Sequence, residues 1–367
     1  MTVAARLHRR RLATAIVASV AVVLSSPFVG DIRSALITAF PTQFRLIIGT
    51  AIAVVVVVAL LVAVVKIRDR RRWRFTGLAV AVGGAVVYAR IVATGNLQVD
   101  VVEHVHFIEY GILAWLFYRA WRPMDNGTTI IWPLLAGTLV GIIDESVQWF
   151  IPARVGEAHD IFLNAVAVGC GLCFAASIDP PPRLSITLER AVARPIAYGV
   201  SAVLLAFAVF FQTAHLGHQL YEPGIGMFWS RFDTTQLDSA SADRAIRWNR
   251  APPTRLRRLS REDQYLSEAL WHVQERNRAW GAGDPFTAWR ENLILERFFA
   301  PVLDTPNYVS RVPPRWAQQQ RDDTAARVGT DPGIYISRAA PYPIYAWSPV
   351  AFWSAVAVVI AAVISAC

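Results

Sequence analysis

The sequence predicts an all-α fold: a polytopic transmembrane bundle of about eight spans, with a mainly helical extracytoplasmic domain between the last two. Three observations carry this. Of 367 residues, 54% are hydrophobic and only 17% are Asp, Glu, Lys or Arg, too few charges for a soluble surface of this size. Several apolar runs reach the roughly 20 residues needed to cross a bilayer. Lys and Arg crowd alternate short loops, as they do on one side of a membrane. The formal charge of +9 therefore reflects topology, and the sequence offers no zinc finger, aromatic-basic RNA motif or Gly-rich phosphate loop. No nucleic-acid partner is expected.

The spans fall at 12–30, 46–65, 76–95, 104–120, 128–151, 161–178, 196–217 and 346–367. The first has the basic start and apolar run of a signal peptide but no clean cleavage site, so it is read as an uncleaved span. Arg9, Arg10 and Arg11 precede it; Arg68, Arg70, Arg71, Arg72 and Arg74 follow the second; Arg119 and Arg122 follow the fourth; Arg183, Arg190 and Arg194 follow the sixth. This places the amino terminus in the cytoplasm and residues 218–345 outside it. The domains read as 1–75 (two spans and a basic loop), 76–178 (a four-helix membrane domain), 179–217, 218–345 and 346–367.

Within 218–345, Ser260 and Asp263 resemble a helix-capping box, and Asp284 with Pro285 marks a second helix start. The remainder, with Pro313, Pro314, Pro332 and Pro341, reads as loop. Trp229, Trp248, Trp271, Trp280, Trp289 and Trp316 pack a core or line a sugar- or ring-binding groove, core packing being the commoner use. Cys170 and Cys173 read as small packing residues between helices, and the polar domain has no cysteine to bridge. The chain ends at Cys367 inside apolar sequence, either at the interface or short of a tail.

Functional candidates concentrate at one depth. In the fifth span Asp144, Glu145 and Gln148 share a third of the helix circumference, and Glu145 lies roughly 9 Å below the span end at Ile151. In the fourth, Glu103, His106 and Tyr110 form a stripe with Glu109 at its edge. Asp160 is placed to cap the sixth span, Asn164 lies one turn further in, and Ala167 and Gly171 continue that face with small residues. Arg90, Arg154 and His159 complete the set. Intramembrane ionisable groups are costly and mark functional sites; the alternative is an ion-pair network that only fixes helix packing.

"EHVHFIEYGILA" and "DESVQWFIPARVGEAHDIFLNAVAVGCG" together resemble the VanZ-like family of membrane proteins, over about residues 76–178. His106 with Tyr110, Glu145 with Gln148, Pro152 with Arg154, and Asp160 with Asn164 and Gly169 follow the family's ordered pattern; Val102 and Glu103 replace its usual Asp-Lys. The resemblance implies a link to lower susceptibility to lipoglycopeptide antibiotics of the teicoplanin type, without an established reaction. The reading is a bacterial inner-membrane protein whose outer-leaflet pocket binds a membrane lipid, a lipid-linked cell-wall ligand or a glycopeptide tail. In it Arg90 and Arg154 meet phosphate or carboxylate and neutralise the buried acids, and the other groups accept hydrogen bonds or orient the arginines. The rivals are an enzyme with Glu145 and His106 as acid–base pair, whose metal variant would use His106, Glu109, Glu145 and Asp160, and an ion-coupled transporter. No cofactor or metal is expected.

Overall fold

The computed structural model describes residues 3–93, 95, 97–124, 128–151, 154–181, 190–253, 261–329 and 333–366. The chain divides into two compact units. The first holds 1–149, 156–210 and 354–367, and the second holds 150–155 and 211–353. Ser260, Pro152, Pro332 and Cys367, which the sequence reading used, lie outside the described residues.

The first unit is built from α1 (Val3–Ala39), α2 (Phe44–Lys66), α3 (Arg71–Val92), α4 (Leu97–Trp121), α5 (Thr128–Trp149) and α6 (Ala158–Ile178). The chain passes to the second unit within α7 (Arg190–His215) and returns within α13 (Pro349–Ser365). Among the described residues six helices are long and apolar enough to cross a membrane: α1, α2, α3, α5, α6 and α7. The fourth and eighth expected spans fall short of that length and composition for two physical reasons. Residues such as His104, His106, Glu109 and Arg119 lower the hydropathy of α4, and α13 is only 17 residues long. The first helix also runs well past both expected bounds, to 37 residues.

Side-chain contacts fix the helix directions. At one end, His8 Nδ1 lies 2.8 Å from the Ala120 carbonyl and Arg11 donates to the Arg119 carbonyl at 3.1 Å, so α1 starts where α4 stops. Tyr118 donates to the Asp179 carbonyl at 2.7 Å, so α4 and α6 finish together. Arg74 reaches the last carbonyls of α6, donating to Ser177 O at 2.8 Å and also to Ile178 O, while pairing with Asp69. Cations there meet the negative end of a helix dipole. This basic end carries the Lys and Arg clusters that set the expected orientation. The opposite end gathers the close of α3, the start of α4, the close of α5 and the start of α6.

The core of this unit joins Tyr110, Leu113, Ala114, Phe117 and Tyr118 of α4 to Val140 of α5 and to Ala167, Val168 and Leu172 of α6. Close approach of α4 and α6 depends on glycine. A Cβ at Gly171 would stand 2.6 Å from Gly111 Cα and 3.0 Å from both Gly111 O and Ala114 Cβ. The small-residue face expected after Asn164 is thus the α4–α6 seam. Cys173 Sγ contacts the Gly77 carbonyl at 3.3 Å and Cys170 is likewise a free thiol, in keeping with packing between α3 and α6.

The second unit is mainly helical but not wholly so. It contains an antiparallel hairpin, β1 (His218–Glu222) and β2 (Gly226–Ser230), which the sequence reading did not foresee. The hairpin turns at Gly224 and Gly226, whose φ of 78° and 131° suit only glycine. Met227 exchanges two 2.8 Å backbone bonds with Tyr335 and Ser337, adding an extended stretch beside β2. Four helices follow the hairpin before that stretch: α8 (Thr234–Arg247), α9 (Arg261–Gly281), α10 (Pro285–Phe298) and the short α11 (Ala300–Asp304). A fifth, α12 (Gln318–Val328), lies in a stretch read as loop. Asp284 caps α10 through Thr287 N at 3.0 Å, as expected, and Asp233 with Gln236 forms an unforeseen capping box on α8. Phe228, Leu237, Trp248, Tyr265, Leu266, Ile294, Leu295, Phe298 and Phe299 form the core. Trp248 belongs to it, and Trp316 packs on Ala279 and Ala288 against Trp280 and Trp289, so core packing accounts for most of the tryptophans.

Candidate functional site

The last two turns of α5 bury three polar side chains: Asp144 is 2% exposed, Glu145 0% and Gln148 2%. Their helical spacing lets one amide serve two acids. Gln148 Nε2 donates at 3.0 Å to both Asp144 Oδ2 and Glu145 Oε1. Tyr110 of α4 adds a 3.1 Å bond to Asp144 Oδ2, and Ser26 of α1 donates to the other Asp144 oxygen. The Glu157 backbone N–H faces Glu145 Oε2 at 3.4 Å. Uncharged donors therefore reach both carboxylates, and three of them converge on Asp144.

His106 lies one turn before Tyr110 and stacks on its ring, with centroids 6.0 Å apart and planes at 28°. Its Nδ1 is 3.9 Å from Glu109 Oε2. Both side chains are half-buried, so this edge of the cluster is open while Tyr110 is sealed.

Asn164 is the unusual member. It is fully buried, and among the described residues neither its Oδ1 nor its Nδ2 has a hydrogen-bond partner. It sits where α6 crosses Gly141 of α5: a Cβ at Gly141 would lie 3.0 Å from Asn164 Cβ and 3.6 Å from the Tyr110 ring. Glycine there brings the amide, the phenol and the acid-bearing helix together. A buried amide without partners is rare, because it forfeits its bonds to water without replacing them.

The start of α6 differs from expectation. Glu157, not Asp160, occupies the N-cap position, without a side-chain cap bond. Asp160 lies inside the first turn, where its negative charge suits the helix dipole. His159 Nδ1 is 3.6 Å from Asp160 Oδ1. Burial pushes the Glu157 carboxyl up to about 7, with Asp160 and Glu103 raising it further and His159 opposing. The expected metal set of His106, Glu109, Glu145 and Asp160 does not converge. Among the described residues, the group of His and carboxylate side chains whose ligand atoms fall within 4.8 Å of one another is Glu157, His159 and Asp160.

Arg90 is exposed on α3 and has no ion pair among the described residues, so it does not neutralise the buried acids. Arg154 is half-buried in the 150–155 segment, which groups with the second unit, and its backbone N–H bonds Ile151 O at 2.9 Å. Sequence reasoning missed Ser26. One serine among several in an apolar helix gives no signal until the fold brings it to Asp144.

Residues 12–178 match the family model described as VanZ/LLP1, and no curated protein and no solved structure matches the chain. The match begins well before the expected residue 76 and so takes in α1 and α2. The geometry gives a reason, since α1 supplies a donor to the central carboxylate. Residues 12–178, which hold the buried Tyr110, Asp144, Glu145, Gln148 and Asn164, are therefore a VanZ-like membrane region of this chain.

Proposed function

We propose that the chain lies in the bacterial inner membrane with its basic end in the cytoplasm. The polar end of the bundle then faces the outer leaflet and binds the headgroup of an envelope lipid or a lipid-linked cell-wall intermediate. The unpartnered Asn164 amide carries this reading. It offers one donor and one acceptor direction beside Tyr110, with His106 and Glu109 at the open edge. Because Asp144 accepts from three neutral side chains, hydroxyl- or amide-bearing headgroups suit the inner part of the site best. Phosphate belongs further out, where Arg90 is exposed. Occupancy of such a site by a glycopeptide lipid tail, or removal of its lipid target, would lower antibiotic susceptibility of the teicoplanin type.

Native mass spectrometry of the protein released from its own membranes tests this. One lipid class should stay bound at stoichiometric occupancy and be displaced by added lipid of the same headgroup. Release of bare protein, or a random mixture of bulk phospholipids, overturns the binding reading.

One observation favours an enzymatic second reading. His106 is 16% exposed, oriented by its stack on Tyr110, and close to Glu109. If Glu145 or His106 moves a proton on a lipid-linked substrate, Glu145→Gln should keep the lipid bound and abolish its conversion.

A further inference from the structure

The second unit contains a cavity of about 400 Å³, in the range of small-molecule sites. It has no part in the membrane site. Tyr221 of β1, Trp289 of α10 and Tyr335 supply its ring surfaces, and glycines at 224, 226, 329 and 333 keep side chains out of it. Its one charged lining residue, Arg290, is only 8% exposed and already engaged. The guanidinium donates to the carbonyls of Gly224, Ile225 (3.3 Å) and Gly333 (3.5 Å), tying the hairpin turn to the segment before Tyr335.

The walls are built rigidly. Tyr335 is buried and its hydroxyl donates to Glu291, which also accepts from Ser337 at 2.6 Å and contacts His272 Nδ1 at 2.6 Å. The Trp289 ring is backed by the Arg321 guanidinium at 5.6 Å, which is held by Glu296 at 2.8 Å. Tyr221, by contrast, is 67% exposed, a large aromatic that no core contact explains. Rings held in place, with no uncommitted charge among the described lining residues, suit a pyranose, whose C–H faces stack on aromatic rings while its hydroxyls turn to the open side.

We propose that this cavity is a binding site for a neutral oligosaccharide of two or three rings. An anionic sugar fits less well, because the cavity's only cation is spent on three carbonyls.

The test uses the full chain in lipid nanodiscs with two neutral probes, chitotriose and maltotriose, read by saturation-transfer NMR. At least one probe should receive saturation at its ring C–H protons. Trp289→Ala should weaken binding about tenfold and Trp289→Phe should largely restore it. Tyr221→Ala, at an exposed position that leaves the core untouched, should weaken binding comparably even if Trp289→Ala folds poorly. Transfer to neither probe, or unchanged affinity in Tyr221→Ala, overturns the proposal.

Discussion

Asn164→Leu separates a ligand-binding amide from a structural one. The two side chains share the same branching and heavy-atom count, so Leu fills the space between Gly141 and Tyr110 with little change of shape. The wild-type amide is fully buried with both polar atoms unpartnered. Leaving a buried polar group unsatisfied costs about 1–3 kcal/mol. Removing it should therefore raise the stability of lipid-free protein by up to about that amount, less about 1 kcal/mol if the Gly141 crossing is overpacked. With lipid bound the order should reverse. The wild type gains RT ln(1 + [L]/Kd), about 2.7 kcal/mol at a hundredfold excess over Kd, and the variant gains nothing. The assay is SDS-induced unfolding in mild detergent, on protein as purified and after delipidation, with native mass spectrometry of both samples. A delipidated Asn164→Leu variant that is clearly less stable than wild type refutes the reasoning, because the amide would then be holding helices together. So would a variant that keeps its lipid at wild-type occupancy.

Four further outcomes are expected. The Glu157 carboxyl, raised from 4.5 to about 7, holds its proton more tightly folded than unfolded, so its contribution is full below pH 4.5 and lost as pH rises through 7. Glu157→Gln should flatten the pH–stability curve in that window, and an unchanged slope counts against the assignment. Gly171→Ala drives a Cβ into the Gly111 backbone and should destabilise the bundle by about 1–3 kcal/mol in the same unfolding assay, while Gly169→Ala, with nothing within 4 Å, should be neutral. Glu268 is fully buried with Oε1 unpartnered, and burial raises its pKa, so keeping it charged costs progressively more above the usual carboxylate range. Glu268→Gln should raise the melting temperature of the second unit at pH 8 and leave it little changed at pH 4. A periplasmic reporter at residue 250 should be active, and a cytoplasmic one active at residue 70; the opposite pattern would move the polar end to the cytoplasmic leaflet.

The membrane helices were legible because hydropathy is a local property, and every apolar run became a helix. The polar cluster was legible for a related reason. Helical spacing alone sets Asp144, Glu145 and Gln148 together, and Gln148 does bridge both acids. What spacing does not reveal is which charges find partners across helices. Arg90 looked like a counter-ion because it shares the right depth, but it is exposed. The donors used instead, Ser26 and Tyr110, come from helices that are neighbours only in three dimensions. Asp160 was read as a cap because it opens the apolar run, whereas the helix begins earlier, at Ala158, from the extended backbone of Glu157. The hairpin was hidden because "HQLYEPGIGMFWS" is short and weakly alternating, and its register depends on the two positive-φ glycines and the pairing with Tyr335.

These failures and successes bear on how the site works. Asp144 accepts from one phenol, one hydroxyl and one amide that it shares with Glu145, and among the described residues the Asn164 amide beside them is without partners. A hydrogen-bond network with one uncompensated member in a low-dielectric interior is costly, and it recovers that cost when a polar group enters. The donors come from α1, α4 and α5, while the unpartnered amide comes from α6, so the site is complete only when four helices meet. A bundle lacking α1 would leave one oxygen of Asp144 without its donor.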